Sequence, residues 1–417
     1  MDKNSFNITR WIHLSLINFA VVALSGITLR YKINFYLPFV NQKNLLHAHS
    51  HFAFTGWVTL VLMALLVNYL QQQHLNINYR KYHWILLANC ITAYAMLFSF
   101  TLEGYAFYSI LFSSSSILIS YFFIFFFWRD LLQIKDESYA PTWFKAGLIL
   151  WAISSLGAFM LAYLMANHIN IQQLYFGAIY FFLHFQYNGW FLFVCFGLLF
   201  SYLYKKKIVL PLSITRKIFM IMAITIAPTY FLSILWLKLP ALLYLIAGAA
   251  GILQLLVLFY FVKLILLVKK NVTQKFTTKY LWILASIAFI LKIVLQVLSV
   301  IPFLSYYAFS FRPIVIGYLH LSFLGIISFF ILAYINQVLI AQGKQISKTG
   351  ALIFSTGVLL QEIVLMIQGL EVMEFKPLPY ANLILFFLAI MIGIGLVWIA
   401  ITVSKSANYK LTQNSST

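Results

Sequence analysis

Charge is scarce in this chain, and so is cysteine. Of 417 residues only 8 are acidic, and the four charged residue types together make up 9% of the sequence, whereas 63% is hydrophobic. A soluble protein of this length carries far more charge, so the composition excludes a soluble globular fold and indicates an integral membrane protein. The two cysteines, Cys90 and Cys195, both fall inside apolar runs, which argues against a disulfide framework or a cysteine-based metal site.

The long apolar runs predict twelve transmembrane helices. Each run has about 20 residues or more, enough to cross a hydrocarbon core of roughly 30 Å at about 1.5 Å per residue. We therefore predict an all-α polytopic membrane protein that forms a single transmembrane domain over residues 1–417, with a polar C-terminal tail at 404–417. The predicted spans are about 10–29, 47–70, 83–102, 109–132, 146–166, 175–203, 217–236, 240–268, 279–301, 313–340, 350–370 and 380–403.

The formal net charge of +20 comes mostly from loops on one side of the membrane. The connections that follow even-numbered spans hold most of the basic residues, such as Lys205, Lys206, Lys207, Arg216 and Lys217. The positive-inside rule then places both termini in the cytoplasm, and the basicity needs no nucleic acid partner. The first outer loop is the exception, because it carries Arg30, Lys32 and Lys43.

Three histidine-bearing motifs lie at similar depth in spans 2, 6 and 10. Measured from the outer ends of the predicted spans, the three histidines lie roughly 6 to 14 Å deep. Imidazole inside a bilayer is rare and indicates a ligand, a proton path or a hydrogen bond within the helix bundle. Agreement in depth favours a shared ligand, and following glycines would let a flat macrocycle approach the helix backbone. The motifs are His47-Ala-His49-Ser-His51-Phe-Ala-Phe-Thr-Gly56-Trp57, His184-Phe-Gln-Tyr-Asn188-Gly189-Trp190 and Tyr318-Leu-His320-Leu-Ser-Phe-Leu-Gly325.

Each histidine also has a structural interpretation. A lone intramembrane histidine, such as His184, is as often a hydrogen-bond partner as a ligand. In the first motif, residues 47 and 51 share a helix face while residue 49 points away. We favour His51 as the ligand because it lies deepest; His47 and His49 are equally consistent with the membrane interface.

At these motifs the chain resembles subunit I of the haem-copper oxidases, in particular the nitric oxide reductase branch. That family has twelve spans with both termini inside. The resemblance implies a low-spin haem b held between His51 and His320, a non-haem metal ligand at His184, and a haem-copper oxidase-like helix bundle. Two imidazoles from two helices suit an electron-transfer haem.

The chain departs from the family pattern at three places. Tyr318 stands where the family has the high-spin haem's histidine, Asn188 stands where the reductases have glutamate, and span 7 reads Ala-Pro228-Thr-Tyr without the family's histidine pair. Tyrosinate can ligate haem iron, so a second haem at Tyr318 stays open, together with O2 or NO binding there. A lone His184 argues against copper or non-haem iron, and whether the chain is an oxidoreductase stays open.

Four more polar residues are candidates. Lys292 and Glu362 fall mid-span, where a lone charge costs several kcal/mol, so we predict that they face each other or a wet cavity, as an ion pair or a proton path. Arg30 and Arg312 fall at the outer ends of spans 1 and 10, where an arginine fork suits a haem propionate or an interfacial anchor.

The sequence therefore favours a haem-binding redox protein of a bacterial-type cytoplasmic membrane. A cytochrome c-type subunit or a quinol is the expected electron donor. The chain has no Cys-x-x-Cys-His motif for covalent haem, so any c-type haem would belong to another chain. Two alternatives remain: a proton-coupled transporter, and a haem- or copper-linked assembly or nitrogen-oxide response protein without turnover.

Overall fold

The computed structural model describes residues 5–75, 77–136, 138–208, 211–237, 239–271, 275–374 and 378–414. Within these ranges the chain is helical and has no strand, and the protein is an all-α polytopic membrane protein. The long helices are α1 (Ile8–Asn34), α2 (Gln42–Gln72), α3 (Arg80–Glu103), α4 (Phe107–Leu131), α5 (Ala140–Ala166), α6 (Gln172–Lys205), α7 (Leu212–Thr225), α8 (Ala241–Asn271), α9 (Phe276–Leu298), α10 (Arg312–Ile340), α11 (Lys348–Glu374) and α12 (Ala381–Asn414). A short helix, Pro302–Ser310, precedes α10.

The prediction of about twelve apolar spans is confirmed, with two differences in detail. Eleven of the described helices are long and apolar enough to cross a membrane by themselves, and α7 makes a twelfth span together with a 3₁₀ segment, Pro228–Ile234, from which it is bent by 54°. Proline lacks an N–H and its ring clashes with the preceding turn, which explains the break. The polar tail continues α12 as helix to Asn414, and residues 415–417 lie outside the described ranges.

The helices form two compact units. Unit 1 is drawn from residues 5–134, 275–283 and 328–414, and unit 2 from residues 135–271 and 284–327. In unit 1, α2 packs on α1 and α3, and α12 packs on α1 and α11. In unit 2, α5 packs on α6, and α8 packs on α7. The prediction of a single transmembrane domain stays a prediction.

The three histidine-bearing helices are the most enclosed of the continuous spans. Within the most apolar stretch of each helix, 83% of residues are buried in α2, 89% in α6 and 56% in α10, whereas the other continuous spans reach at most 44%. Side chains on these three helices therefore face protein more than lipid, which is the setting that a polar group in a membrane requires.

A buried ion pair ties α3 to α4 in unit 1. Lys81 Nζ lies 2.6 Å from Asp130 Oδ2, and the Tyr82 hydroxyl donates to the same oxygen at 2.6 Å. The Asp130 carboxylate is 3% exposed, so two donors offset its loss of water. This cluster fixes helix packing and contacts none of the candidate histidines described below.

Candidate functional site

Each of the three histidines lies one or two residues before a π-helical segment. The same spacing recurs each time, because a glycine follows the histidine by five positions in all three motifs. Single π-helical turns are rare and cluster at functional sites, since they leave backbone carbonyls without a helical partner. We had predicted a common depth but not this shared backbone feature. The segments are Ala53–Thr59 in α2, Phe185–Phe191 in α6 and Leu321–Ser328 in α10.

Two of the three glycines allow close packing between helices, and the third accommodates a side chain of its own helix. A Cβ at Gly189 would come within 2.9 Å of Leu150 Cβ on α5, and one at Gly325 within 3.1 Å of Ala288 Cβ on α9. A Cβ at Gly56 would lie 2.8 Å from the Phe52 ring. Side chains of the protein thus occupy the space in which we expected a macrocycle to approach.

Asparagine side chains support the π-helical segment of α2. Asn18 Nδ2 on α1 donates to Gly56 O at 2.7 Å, and Asn89 Nδ2 on α3 donates to Thr55 O at 3.0 Å. The Tyr94 hydroxyl donates to Asn18 Oδ1 at 2.9 Å and fixes the orientation of that amide. Buried carbonyls need such donors, so this network stabilises the backbone distortion that follows His51.

The histidines of α2 separate onto two faces, as the sequence predicts. His49 Nδ1 lies 2.9 Å from Ser25 Oγ on α1, and its ring packs over Gly26. His47 and His51 lie on the other face, where both rings contact Tyr105 in the connection between α3 and α4. His49 is therefore engaged in helix packing, and the other two share one site.

The His51 ring is held in a defined plane. It stacks on Phe100 with ring centroids 4.3 Å apart and an interplanar angle of 7°, and its Nε2 lies 3.3 Å from the Tyr105 hydroxyl. The surrounding protein raises the pKa of the Tyr105 phenol above its ordinary value of 10.0, so the phenol stays protonated at physiological pH. A bond of 3.3 Å is weak, so Nε2 is the ring atom that a stronger partner would take.

His47 has an unsatisfied nitrogen beside this ring. Its Nε2 is buried without a hydrogen-bond partner among the described residues, and its ring meets Tyr105 edge-on at a centroid distance of 4.8 Å. A buried polar atom without a partner is uncommon in a folded protein and often indicates that a ligand, water or ion binds there.

His184 in unit 2 is different, because both of its ring nitrogens are engaged. Nε2 lies 2.7 Å from Ile226 O, and Asn188 Nδ2 lies 3.1 Å from Nδ1. A neutral imidazole that donates from Nε2 and accepts at Nδ1 satisfies both bonds. The side chain is 1% exposed, so no water competes for it.

The carbonyl that His184 binds is freed by the break in α7. In a continuous helix Ile226 O would accept from Tyr230 N, but Tyr230 N bonds Ala227 O at 3.1 Å because Pro228 turns the chain into a 3₁₀ segment. Proline breaks persist in membrane helices when neighbouring side chains satisfy the freed groups. His184 has that structural role.

This donor set does not fit a non-haem metal ion. A metal at His184 would have to displace Asn188 or the Ile226 carbonyl, and the described residues contain no group of three His, Cys, Asp or Glu able to hold a metal. The imidazole of His51 does fit a haem iron ligand, because its plane is fixed and its Nε2 has only one weak partner.

The remaining candidates are distributed over both units. His320 is the last residue before the π-helical segment of α10 and is half-buried, as is Tyr318. Arg312 is exposed at the start of α10, and Arg30 is half-buried near the end of α1. His51 belongs to unit 1 and His320 to unit 2, and their pairing stays a prediction.

Lys292 and Glu362 also belong to different units. Lys292 is 3% exposed on α9 and donates to Gln296 Oε1 at 2.7 Å, and no helix of unit 2 carries an acidic residue. Glu362 on α11, in unit 1, has a buried Oε1 without a hydrogen-bond partner among the described residues. Their predicted pairing stays a prediction.

A scan against protein-family models finds no match, and a search of curated proteins finds none either. The resemblance to haem-copper oxidase subunit I therefore rests on the three motifs and the span count.

Proposed function

We propose that this protein is a haem-binding membrane redox protein in which His51 and His320 would hold one low-spin haem b. The observation that carries the proposal is the state of the His51 ring, stacked on Phe100 with only a weak bond at Nε2. A bound haem would supply one-electron exchange between ferrous and ferric iron.

The protein's own residues would tune that exchange. Phe100 holds the His51 ring plane, and the asparagine network behind Gly56 holds the backbone that carries it. Enclosure of α2 and α10 by protein would keep water from the iron and favour electron transfer over ligand exchange. A cytochrome c-type subunit or a quinol would be the electron donor, in a bacterial-type cytoplasmic membrane with both termini inside.

The test is the visible spectrum of the protein purified in detergent after expression in haem-replete cells. We expect sharp reduced bands of low-spin haem b and about one haem per chain by pyridine haemochrome assay. His51→Ala and His320→Ala should each abolish the low-spin spectrum, and His184→Ala should retain it. A protein that purifies folded without haem, or keeps its spectrum in either ligand variant, refutes the proposal. Two haems per chain would instead place a second haem at Tyr318, with a gas-binding site there.

A second candidate, a proton-coupled transporter, is favoured by the intramembrane charges Lys292 and Glu362. In that case Lys292→Met would abolish proton movement in proteoliposomes while the purified protein shows no haem. Unchanged haem content and proton coupling in Lys292→Met would leave this residue only a structural role.

A further inference from the structure

The face of α2 that carries His51 continues toward the start of the helix as a basic stripe. Lys43, His47 and His51 recur every fourth residue, so they lie above one another on one face. One helical turn, about 5.4 Å, separates consecutive members. His51 is the proposed iron ligand, and the two residues beyond it have no role in the function proposed above.

The His47 imidazole lacks the partner that its burial requires. Its Nε2 is buried and has no hydrogen-bond partner in the part of the chain that the structure describes, where its ring neighbours are Phe100 and Tyr105. In the tautomer with its proton on Nε2, the ring presents a donor there, and an acceptor such as a carboxylate would satisfy it. Lys43, exposed one turn further out, adds a positive charge on the same face.

Among the described residues no carboxylate is bonded to this nitrogen. Glu103, at the end of α3, accepts from Ser109 N at 2.8 Å and so serves the start of α4. Lys32, in the last turn of α1, donates to Leu37 O at 2.6 Å. Arg30, Lys32 and Lys43 flank the first predicted outer loop, where the positive-inside rule does not account for basic residues. A bound anion that is not part of this chain would account both for the unbonded His47 nitrogen and for the basic residues beside it.

We propose that His47 and Lys43 form a binding site for the propionate carboxylates of the haem. The inference rests on the proposed function, because it takes the iron to be at His51. A porphyrin held there carries its two carboxylates at one edge, and the residues one and two turns further along α2 are a hydrogen-bond donor and an ammonium. Both suit a carboxylate. Arg30 is a further candidate for this carboxylate site. Gln42, which precedes Lys43 on α2, donates from Nε2 to the carbonyl of Leu29, which precedes Arg30 on α1, at 3.4 Å.

The experiment compares haem b with its dimethyl ester, which keeps the iron and the ring but has no propionate charge. Both are titrated into the full-length protein expressed without haem, and dissociation constants are read from the absorbance change. We expect the wild-type protein to bind the free acid about tenfold or more tightly than the ester. In His47→Leu and Lys43→Met this ratio should fall toward one, while the low-spin spectrum persists because His51 is retained.

His49→Leu is the matched control, because it removes an imidazole of the same helix that points to Ser25. Its ratio should equal that of the wild type. His47→Gln, which keeps an N–H donor, should retain most of the discrimination even if His47→Leu destabilises the fold. A wild-type ratio of one, or an unchanged ratio in both His47→Leu and Lys43→Met, overturns this inference while leaving the proposed function intact. Failure of both porphyrins to bind the wild-type protein overturns the proposed function itself.

Discussion

His51 and His184 occupy the same place in the same motif, yet their surroundings give them different chemistry. Each is followed by a π-helical segment and by a glycine five residues on. At His184, a carbonyl and an amide engage both nitrogens. At His51, an aromatic face fixes the ring and leaves Nε2 with one weak contact. The motif determines the position of the imidazole along the helix. Residues distant in sequence determine whether that imidazole stabilises the fold or is available to a ligand.

Substitution of each histidine by alanine is the test of this difference with the largest expected effect. His184→Ala should destabilise the protein by about 2–4 kcal/mol, because it removes a buried ring, leaves Asn188 Nδ2 without this acceptor, and leaves the Ile226 carbonyl with only the Thr229 hydroxyl at 3.2 Å among the described residues. His51→Ala removes a half-buried ring and one stacking contact, so its cost should be about 1 kcal/mol. The measurement is reversible unfolding in mixed micelles, with haem content determined on the same samples.

Each variant should change a different one of the two measured quantities, stability and haem content. His184→Ala should keep its haem and lose stability, whereas His51→Ala should lose its haem and stay nearly as stable as a haem-free wild-type reference. Loss of haem from His184→Ala at full stability would contradict the division of roles between the two residues.

The break at Pro228 gives the next test, because it explains why His184 is needed. Pro228→Ala restores an N–H and allows α7 to continue, so that Tyr230 N can bond Ile226 O in place of His184. The cost of His184→Ala should then be smaller by about 1 kcal/mol in the Pro228→Ala background, measured as a double-mutant cycle. Pro211→Ala, at the residue that precedes α7, is the control and should combine additively with His184→Ala. Additivity of Pro228→Ala would mean that another group satisfies the carbonyl.

Much of this fold could be predicted from the sequence, because an apolar run of sufficient length has few alternatives in a bilayer. The break in α7 also carried a signal, since Pro228 falls inside a predicted span. The π-helical segments were not predictable by periodicity, because partners from other helices support them, such as Asn18 and Asn89 in unit 1. The shared spacing from histidine to glycine was the one sequence signal that pointed to them.

The candidate site, like the fold, was predictable from the sequence only in part. Helix geometry alone separated His49 from His47 and His51, and the structure confirms that separation. The partners of His184 could not be read from the sequence, because the carbonyl that it binds lies 42 residues away and lacks its helical N–H donor only as a result of the proline break. The unsatisfied nitrogen of His47 is likewise a property of packing.

The smallest expected effect concerns the hydroxyl of Tyr105. Tyr105→Phe removes the atom 3.3 Å from His51 Nε2 and keeps the ring that packs edge-on against Phe100 at 5.0 Å. A weak neutral hydrogen bond contributes little, so stability should change by less than about 1 kcal/mol. Because iron would replace the phenol at Nε2, haem should bind as tightly as in the wild type or a few-fold more tightly. Tyr82→Phe, which removes the donor to Asp130 between α3 and α4, is the control: it should lower stability without changing haem affinity. Weaker haem binding by Tyr105→Phe would show that the phenol is a partner of the bound haem, and the contact at His51 would then no longer be a displaceable one.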